Sequence, residues 1–232
     1  MTALDAVRSR QSWSRVTDEA PGHEELVTLI GAAGRVADHS SLRPWRLIEL
    51  RGDDRKTLGA AIAAATGDRD PSTKPLRAPL LIAVVASYRR SDKVPRWEQE
   101  AVASGVAHIL SLLLDEAGWG VIWRTGGYTR AAAVAAAHGL GPDEELLGWL
   151  YVGGKPGRTP GRRKQIDARA RITRMPAVEG RPGKDDAKRA GEKVAKGKKS
   201  AKGKKSAEDK KSDKKAKKTG ATEKPGKKTK KG

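Results

Sequence analysis

The chain has 232 residues and a net charge of +20, but residues 181–232 carry 22 Lys and Arg against 7 Asp and Glu, and residues 1–180 carry 26 against 21. The absence of cysteine excludes disulfides, thiolate metal sites and a Cys nucleophile. No apolar run reaches the roughly 18 residues of a membrane span, and the N-terminus MTALDAVRSRQSW lacks the apolar core of a signal peptide, so the expectation is a soluble, cytoplasmic protein whose first 180 or so residues form one domain.

MTALDAVRSRQSWSR starts as a helix, with Thr2 as its cap and Ala3, Leu4 and Val7 on one face. Pro21-Gly22 breaks the chain before a second helix. There Glu24 and Glu25 occupy the first turn, and Leu26, Leu29 and Ile30 form the apolar face. WRLIEL (45–50) alternates like a half-buried strand, and DDRKTLGAAIAAATG is a helix ending at Gly67. APLLIAVVAS (78–87) is nearly unbroken in apolar residues and reads as a central strand. Residues 97–120 form the longest helix. Its face Val102, Val106, Ile109, Leu110, Leu113 and its many small residues predict burial nearly all round, with His108 as a core group. A strand GVIWRT, a helix TRAAAVAAAHGL ending at Gly139 and a strand ELLGWLYVGG (145–154) follow. Pattern alone leaves α+β and α/β both open. After Pro156 the chain turns basic and Pro/Gly-rich, with an alternating stretch from Ile166 to Ile172. Residues 177–232 have almost no apolar side chains to offset ordering entropy, and predict a disordered Lys-rich tail beyond a domain of residues 1–176.

Three groups of polar residues sit at element ends: Arg10-Gln11-Ser12, Arg35 with His39, and Trp123-Arg124-Thr125. Guanidinium forks, hydroxyls and free backbone N–H groups are what a phosphate-bearing ligand needs, although each group also reads as ordinary surface. His39, in DHSSLRPW (38–45), fits either a general base or a structural hydrogen bond. Glu98 and Glu100 suit the start of the long helix. Neither His39 nor His108 has partners at metal-ligand spacing, so no metal is expected, and GxGxxG, Walker A and GxSxG motifs are absent. The glycine pairs at 126–127 and 153–154 are weak signals.

Four segments in order resemble the nitroreductase family of flavoproteins, in its small bacterial branch of NAD(P)H nitroreductases: SRQSWSR (9–15), AGRVADHSSLRPWRLIEL (33–50), KVPRWEQEAVASGVAHILSLLLDEAGWGVIWRTGG (93–127) and ELLGWLYVGGKP (145–156). The resemblance covers about residues 1–176. It implies an α+β fold with a central antiparallel sheet flanked by helices, as a homodimer holding FMN at the interface. It further implies an FMN-dependent oxidoreductase that passes hydride from NADH or NADPH through flavin N5 to a small organic acceptor, with ping-pong kinetics. Arg10, Gln11 and Ser12 would hold the FMN phosphate and ribityl chain, Arg35 and His39 would reach the cofactor across the interface, and Trp123, Arg124 and Thr125 would close the site. Leu113, Leu114, Asp115, Glu116, Ala117 and Gly118 would lie near the nicotinamide nucleotide, although Leu113 and Leu114 also read as core. DHSSLRPW becomes a cofactor loop anchored by Pro44 and Trp45. Two departures stand out: Gln11 where the family has a second Arg, and Arg43 where it has Gln before Pro-Trp. The tail is outside the family pattern. An alternative reading makes the chain a flavin-free scaffold whose Lys-rich tail binds nucleic acid or another polyanion.

Overall fold

Eight consecutive buried residues, Leu80–Ser87, form the strand on which the rest is assembled. The computed structural model describes residues 2–157 and 166–175, and the chain divides into units of residues 1–165 and 166–232. The first unit holds strands β1 (Trp45–Leu50), β2 (Leu80–Ser87), β3 (Trp119–Arg124) and β4 (Glu144–Gly154). Every pairing is antiparallel, in the order β1-β2-β4-β3, so β2 is central as its unbroken apolar run requires. Its helices are α1 (Ala3–Ser9), α2 (His23–Ala33), α3 (Asp53–Thr66), α4 (Arg96–Glu116) and α5 (Ala132–Ala137). In the second unit the described residues include one 3-10 turn, Arg169–Arg171, and exposed Ile166 and Ile172. The expected tail, 177–232, lies outside the described residues.

Alternation along the strands divides the core into two layers. Ile82, Val84, Leu150 and Val152 face Leu26 of α2 and Val106, Leu110 and Leu114 of α4. Leu81, Ala83, Trp149 and Tyr151 face Leu58 and Ile62 of α3 and Val134 of α5. The fold is α+β, an antiparallel sheet between helices. Thr2 caps α1 in a reciprocal box with Asp5, but the Leu4 and Val7 face of that helix is 56% and 57% exposed.

Two expectations about α4 are corrected. It is not buried all round: Trp97, Ala101, His108 and Glu116 are exposed, and the small residues that suggested burial lie partly on this outward face. His108 is not a core group, because it lies on that face with its ring edge-on to Trp123 at 5.0 Å.

Arg46 on β1 reaches across β2 to Glu144 on β4, with Nε and Nη2 donating to the two carboxylate oxygens at 2.6 and 2.7 Å. Arg46 Nη2 also donates to the Gly139 carbonyl at 3.2 Å, tying the β4 start to the end of α5. This fork holds the Glu144 carboxyl down to about 2, against an ordinary 4.5. A lowered folded value means the contribution is full above the unfolded value and is lost as pH falls through the folded one. Wild-type protein should therefore be more stable than Glu144→Gln above about pH 5. The difference should close as the pH approaches 2, when both are followed by urea unfolding across that range.

Candidate functional site

The loop from Asp38 into β1 is strained and pinned at both ends. Ser40, Ser41 and Arg43 have φ of 63°, 52° and 47°, a region that costs a non-glycine residue on the order of 1–3 kcal/mol. Asp38 holds the turn: Oδ2 accepts from the Arg43 N–H at 2.7 Å and its carbonyl accepts from the Ser41 N–H at 3.0 Å. Asp38 Oδ1 is buried without a partner. Pro44 accepts from the Ser87 N–H at 2.9 Å and Trp45 packs on the first core layer, so both anchor the loop as expected. A cavity of about 670 Å³ opens here, lined by Arg35, Asp38, Ser41, Arg43 and Trp45 against α2. Neither arginine forms an ion pair among the described residues. His39 turns the other way, its Nδ1 2.9 Å from Glu98 Oε2. With Trp97, 69% exposed, these two line a second cavity of about 530 Å³.

The Trp123-Arg124-Thr125 group ends β3. Strand alternation turns Trp123 toward α4 and Arg124 to the other layer, where its guanidinium lies 5.4 Å from the Tyr151 ring centre. Trp123 Nε1 and Arg124 Nε are both buried with no partner, two donors unused by the fold. Gly148 on β4 lies beneath them with φ +140°. A Cβ there would sit 2.6 Å from the Arg124 carbonyl, 2.7 Å from Trp123 Nε1 and 2.9 Å from Thr125 Cγ2.

Arg10, Gln11 and Ser12 follow α1 directly, and the Trp13 N–H pins this segment to Val121 of β3 at 3.0 Å. Gln11 lines a cavity of about 280 Å³ with Ser9, Trp13, Asp115, Glu116 and Lys155. Of the segment expected near a nucleotide, Leu114 is fully buried, Asp115 is 8% exposed and Leu113 packs on the core. The Asp115 carboxylate is engaged by Trp13 Nε1 at 3.3 Å and Lys155 Nζ at 3.3 Å. Glu116, Ala117 and Gly118 are exposed, and the last two border a cavity of about 600 Å³ with Thr17, Glu19 and Lys155.

The three groups are thus strung along one helix. His39 meets α4 at Glu98, Trp123 at His108 and Gln11 near Asp115 and Glu116. The axial distance from Glu98 to Asp115 is roughly 26 Å at about 1.5 Å per residue. One protomer therefore does not bring the groups at the two ends together. Asp38, Trp97, Gly148 and Lys155 were not singled out from the sequence. Among the described residues no cluster of three or more His, Asp or Glu is placed to hold a metal ion.

A model of the nitroreductase family matches residues 7–154. The chain belongs to the nitroreductase family. Family membership makes it an oxidoreductase. It is 36% identical over 161 residues to the candidate NAD(P)H nitroreductase YdjA of Escherichia coli (strain K12), covering 66% of this chain and 88% of that protein. A candidate NAD(P)H nitroreductase of Haemophilus influenzae is 28% identical over 162 residues, with the same coverage. Among solved structures, a nitroreductase-like protein from Bacillus cereus superposes with TM-score 0.65 at 21% identity, covering 76% of this chain and 97% of that one. The FMN- and NADPH-dependent nitroreductase NfnB from sphigopyxis sp. strain HMH, as its Y88F mutant, superposes with TM-score 0.60 at 18% identity, covering 77% and 100%.

Proposed function

We propose that the chain is an FMN-dependent NAD(P)H oxidoreductase that works as a homodimer with the cofactor at the interface. The observation that carries this reading is the pair of buried, unpartnered donors, Trp123 Nε1 and Arg124 Nε, at a strand end that belongs to a family of this chemistry. Groups spread along α4 converge when a second α4 packs antiparallel, because the N-terminal end of one helix then meets the C-terminal end of the other. The exposed Trp97 and the Leu4–Val7 face supply apolar surface for such contact.

When bound, FMN supplies two-electron transfer between a nicotinamide and a small organic acceptor, in two half-reactions at one face. This chain supplies the setting. Arg10, Ser12 and Arg124 hold the phosphate by charge-assisted hydrogen bonds, and Gln11 adds a neutral donor. His39 of the partner subunit presents Nε2, its Nδ1 side being occupied by Glu98, and Arg35 of the partner subunit completes the opposite wall. Glu116 to Gly118, the exposed end of α4, borders the nucleotide.

Purified protein should be yellow, or become so with added FMN. Anaerobic titration with NADH and then NADPH should bleach the flavin bands and identify the donor by rate. Colourless protein that takes up no FMN overturns the reading. Arg10→Ala and Arg124→Ala should each weaken FMN binding by about 10- to 150-fold in a fluorescence titration, the equivalent of losing one charge-assisted contact of about 1.5–3 kcal/mol.

A further inference from the structure

The Arg10-Gln11-Ser12 segment runs from the end of α1 to Trp13, and both of its ends are fixed. At the near end the Arg10 N–H donates to the Ala6 carbonyl at 3.0 Å, closing the last turn of α1. At the far end Trp13 is 8% exposed and held in three ways. Its backbone N–H donates to the Val121 carbonyl at 3.0 Å, on the strand that ends in Arg124. Its ring lies close over Gly120, where a Cβ would come 3.3 Å from Trp13 Cγ. Its Nε1–H donates to Asp115 Oδ1 at 3.3 Å.

Asp115 is itself buried, in the last turn of α4. A carboxylate so placed is costly unless it is paired. Lys155, one residue beyond β4, supplies the pair: Nζ lies 3.3 Å from Asp115 Oδ1 and donates to the Asp115 carbonyl at 2.7 Å. A cation at that carbonyl also complements the C-terminal end of the helix dipole. The same ammonium lies 5.8 Å from the Trp13 ring centre, so one cation meets both the carboxylate and the indole that the carboxylate holds. Lys155 stands between two cavities. Gln11, Asp115 and Glu116 line the first with it, and Asp18 and Glu19 line the second. Carboxylates on both sides make its ammonium a poor ligand for a phosphate and a good partner for Asp115.

We propose that Asp115 and Lys155 are a positioning pair for the Arg10-Gln11-Ser12 segment, acting on it through the Trp13 indole. This rests on the FMN reading above, in which Arg10 and Ser12 hold the phosphate. Asp115 orients the indole, Lys155 neutralises Asp115, and neither side chain touches the cofactor. Without the ammonium the unpaired carboxylate turns toward water, Trp13 loses its indole anchor, and the residue next to Ser12 shifts. A displacement of that kind is felt at the phosphate and not at the flavin ring.

The test measures dissociation constants of FMN and of riboflavin, which has the same ring and no phosphate, for the full chain and its variants. Lys155→Met should weaken FMN about tenfold or more, with riboflavin changed less than about twofold. Lys155→Arg keeps a cation and should stay within about threefold of wild type for both flavins. Adding Asp115→Asn to Lys155→Met removes the unpaired charge but keeps Oδ1 as the acceptor for the indole, so the double variant should recover FMN affinity to within about threefold of wild type. Trp13→Phe keeps most of the ring, removes its N–H, and should weaken FMN alone by about three- to tenfold. Unchanged FMN affinity in Lys155→Met and Trp13→Phe, or equal losses for both flavins, overturns the positioning role while leaving the flavin reading intact. A double variant as weak as Lys155→Met also overturns it, since Lys155 would then act on the phosphate directly. Wild-type protein that binds neither flavin overturns both readings.

Discussion

Trp149→Ala is expected to lower the free energy of unfolding by about 3–5 kcal/mol, the range for removing a fully buried large aromatic. Trp149 is 1% exposed and sits mid-strand on β4, in the layer shared with α3 and α5. Its ring packs against Tyr128 at 5.9 Å and His138 at 5.7 Å. Its Nε1–H donates to His138 Nε2 at 2.9 Å, which requires that nitrogen to be the acceptor. His138 Nδ1–H then donates to the Val134 carbonyl at 2.7 Å and closes the last turn of α5. Burial holds the His138 imidazole below its ordinary value, favouring the neutral form that this pairing needs. Alanine leaves both a cavity and a buried Nε2 without a donor. Trp149→Phe isolates the second part: most of the ring volume remains, and the loss should fall to roughly 1–3 kcal/mol. Urea unfolding of the three proteins measures both. A loss under about 1 kcal/mol for the alanine variant would mean that this layer re-packs freely, against the density argued here.

The elements that period and composition define were readable in advance, and the reason is local. The apolar run that became β2 needs burial on both faces, and only a central position supplies that. WRLIEL mixes polar and apolar residues because β1 is an edge strand, partly exposed along most of its length, with Trp45 and Leu47 on one core layer and Ile48 and Leu50 on the other. The helix stop at Gly67 and the Thr2 cap are short-range devices written in adjacent residues. α4 misled because Ala, Gly and Ser carry little preference for inside or outside, so an outward stripe of them looks like core. The anchors Pro44 and Trp45 of DHSSLRPW were visible, but its strain was not: Ser40, Ser41 and Arg43 are not residues that announce a left-handed backbone. His39 with Glu98 and Asp115 with Lys155 pair across 59 and 40 positions, separations that only the finished fold closes.

Gly148→Ala should damage the fold and the proposed cofactor site together, lowering stability by about 2 kcal/mol or more and FMN affinity by more than about tenfold. The position has φ +140°, a conformation that L side chains rarely adopt, at an irregularity where β4 opposes Val84 and Val85 with Gly148 and Leu146. The new methyl would fall 2.6 Å from the Arg124 carbonyl, a backbone atom that cannot swing aside as a side chain would. It would also press on Trp123 Nε1 and Thr125 Cγ2, so the clash displaces all three residues of the group at once. Relief requires β3 to move outward from β4, which shifts both unpartnered donors, one on each face of the sheet. Gly127→Ala is the control: it lies three residues beyond Arg124, a Cβ there meets nothing within 4 Å, and both stability and flavin binding should stay near wild type. Thermal unfolding and FMN titration of the two variants separate the cases. A Gly148→Ala protein that is destabilised yet binds FMN as tightly as wild type would show that Trp123, Arg124 and Thr125 are held by this glycine for the sheet alone, and the cofactor would have to be sought elsewhere on the molecule.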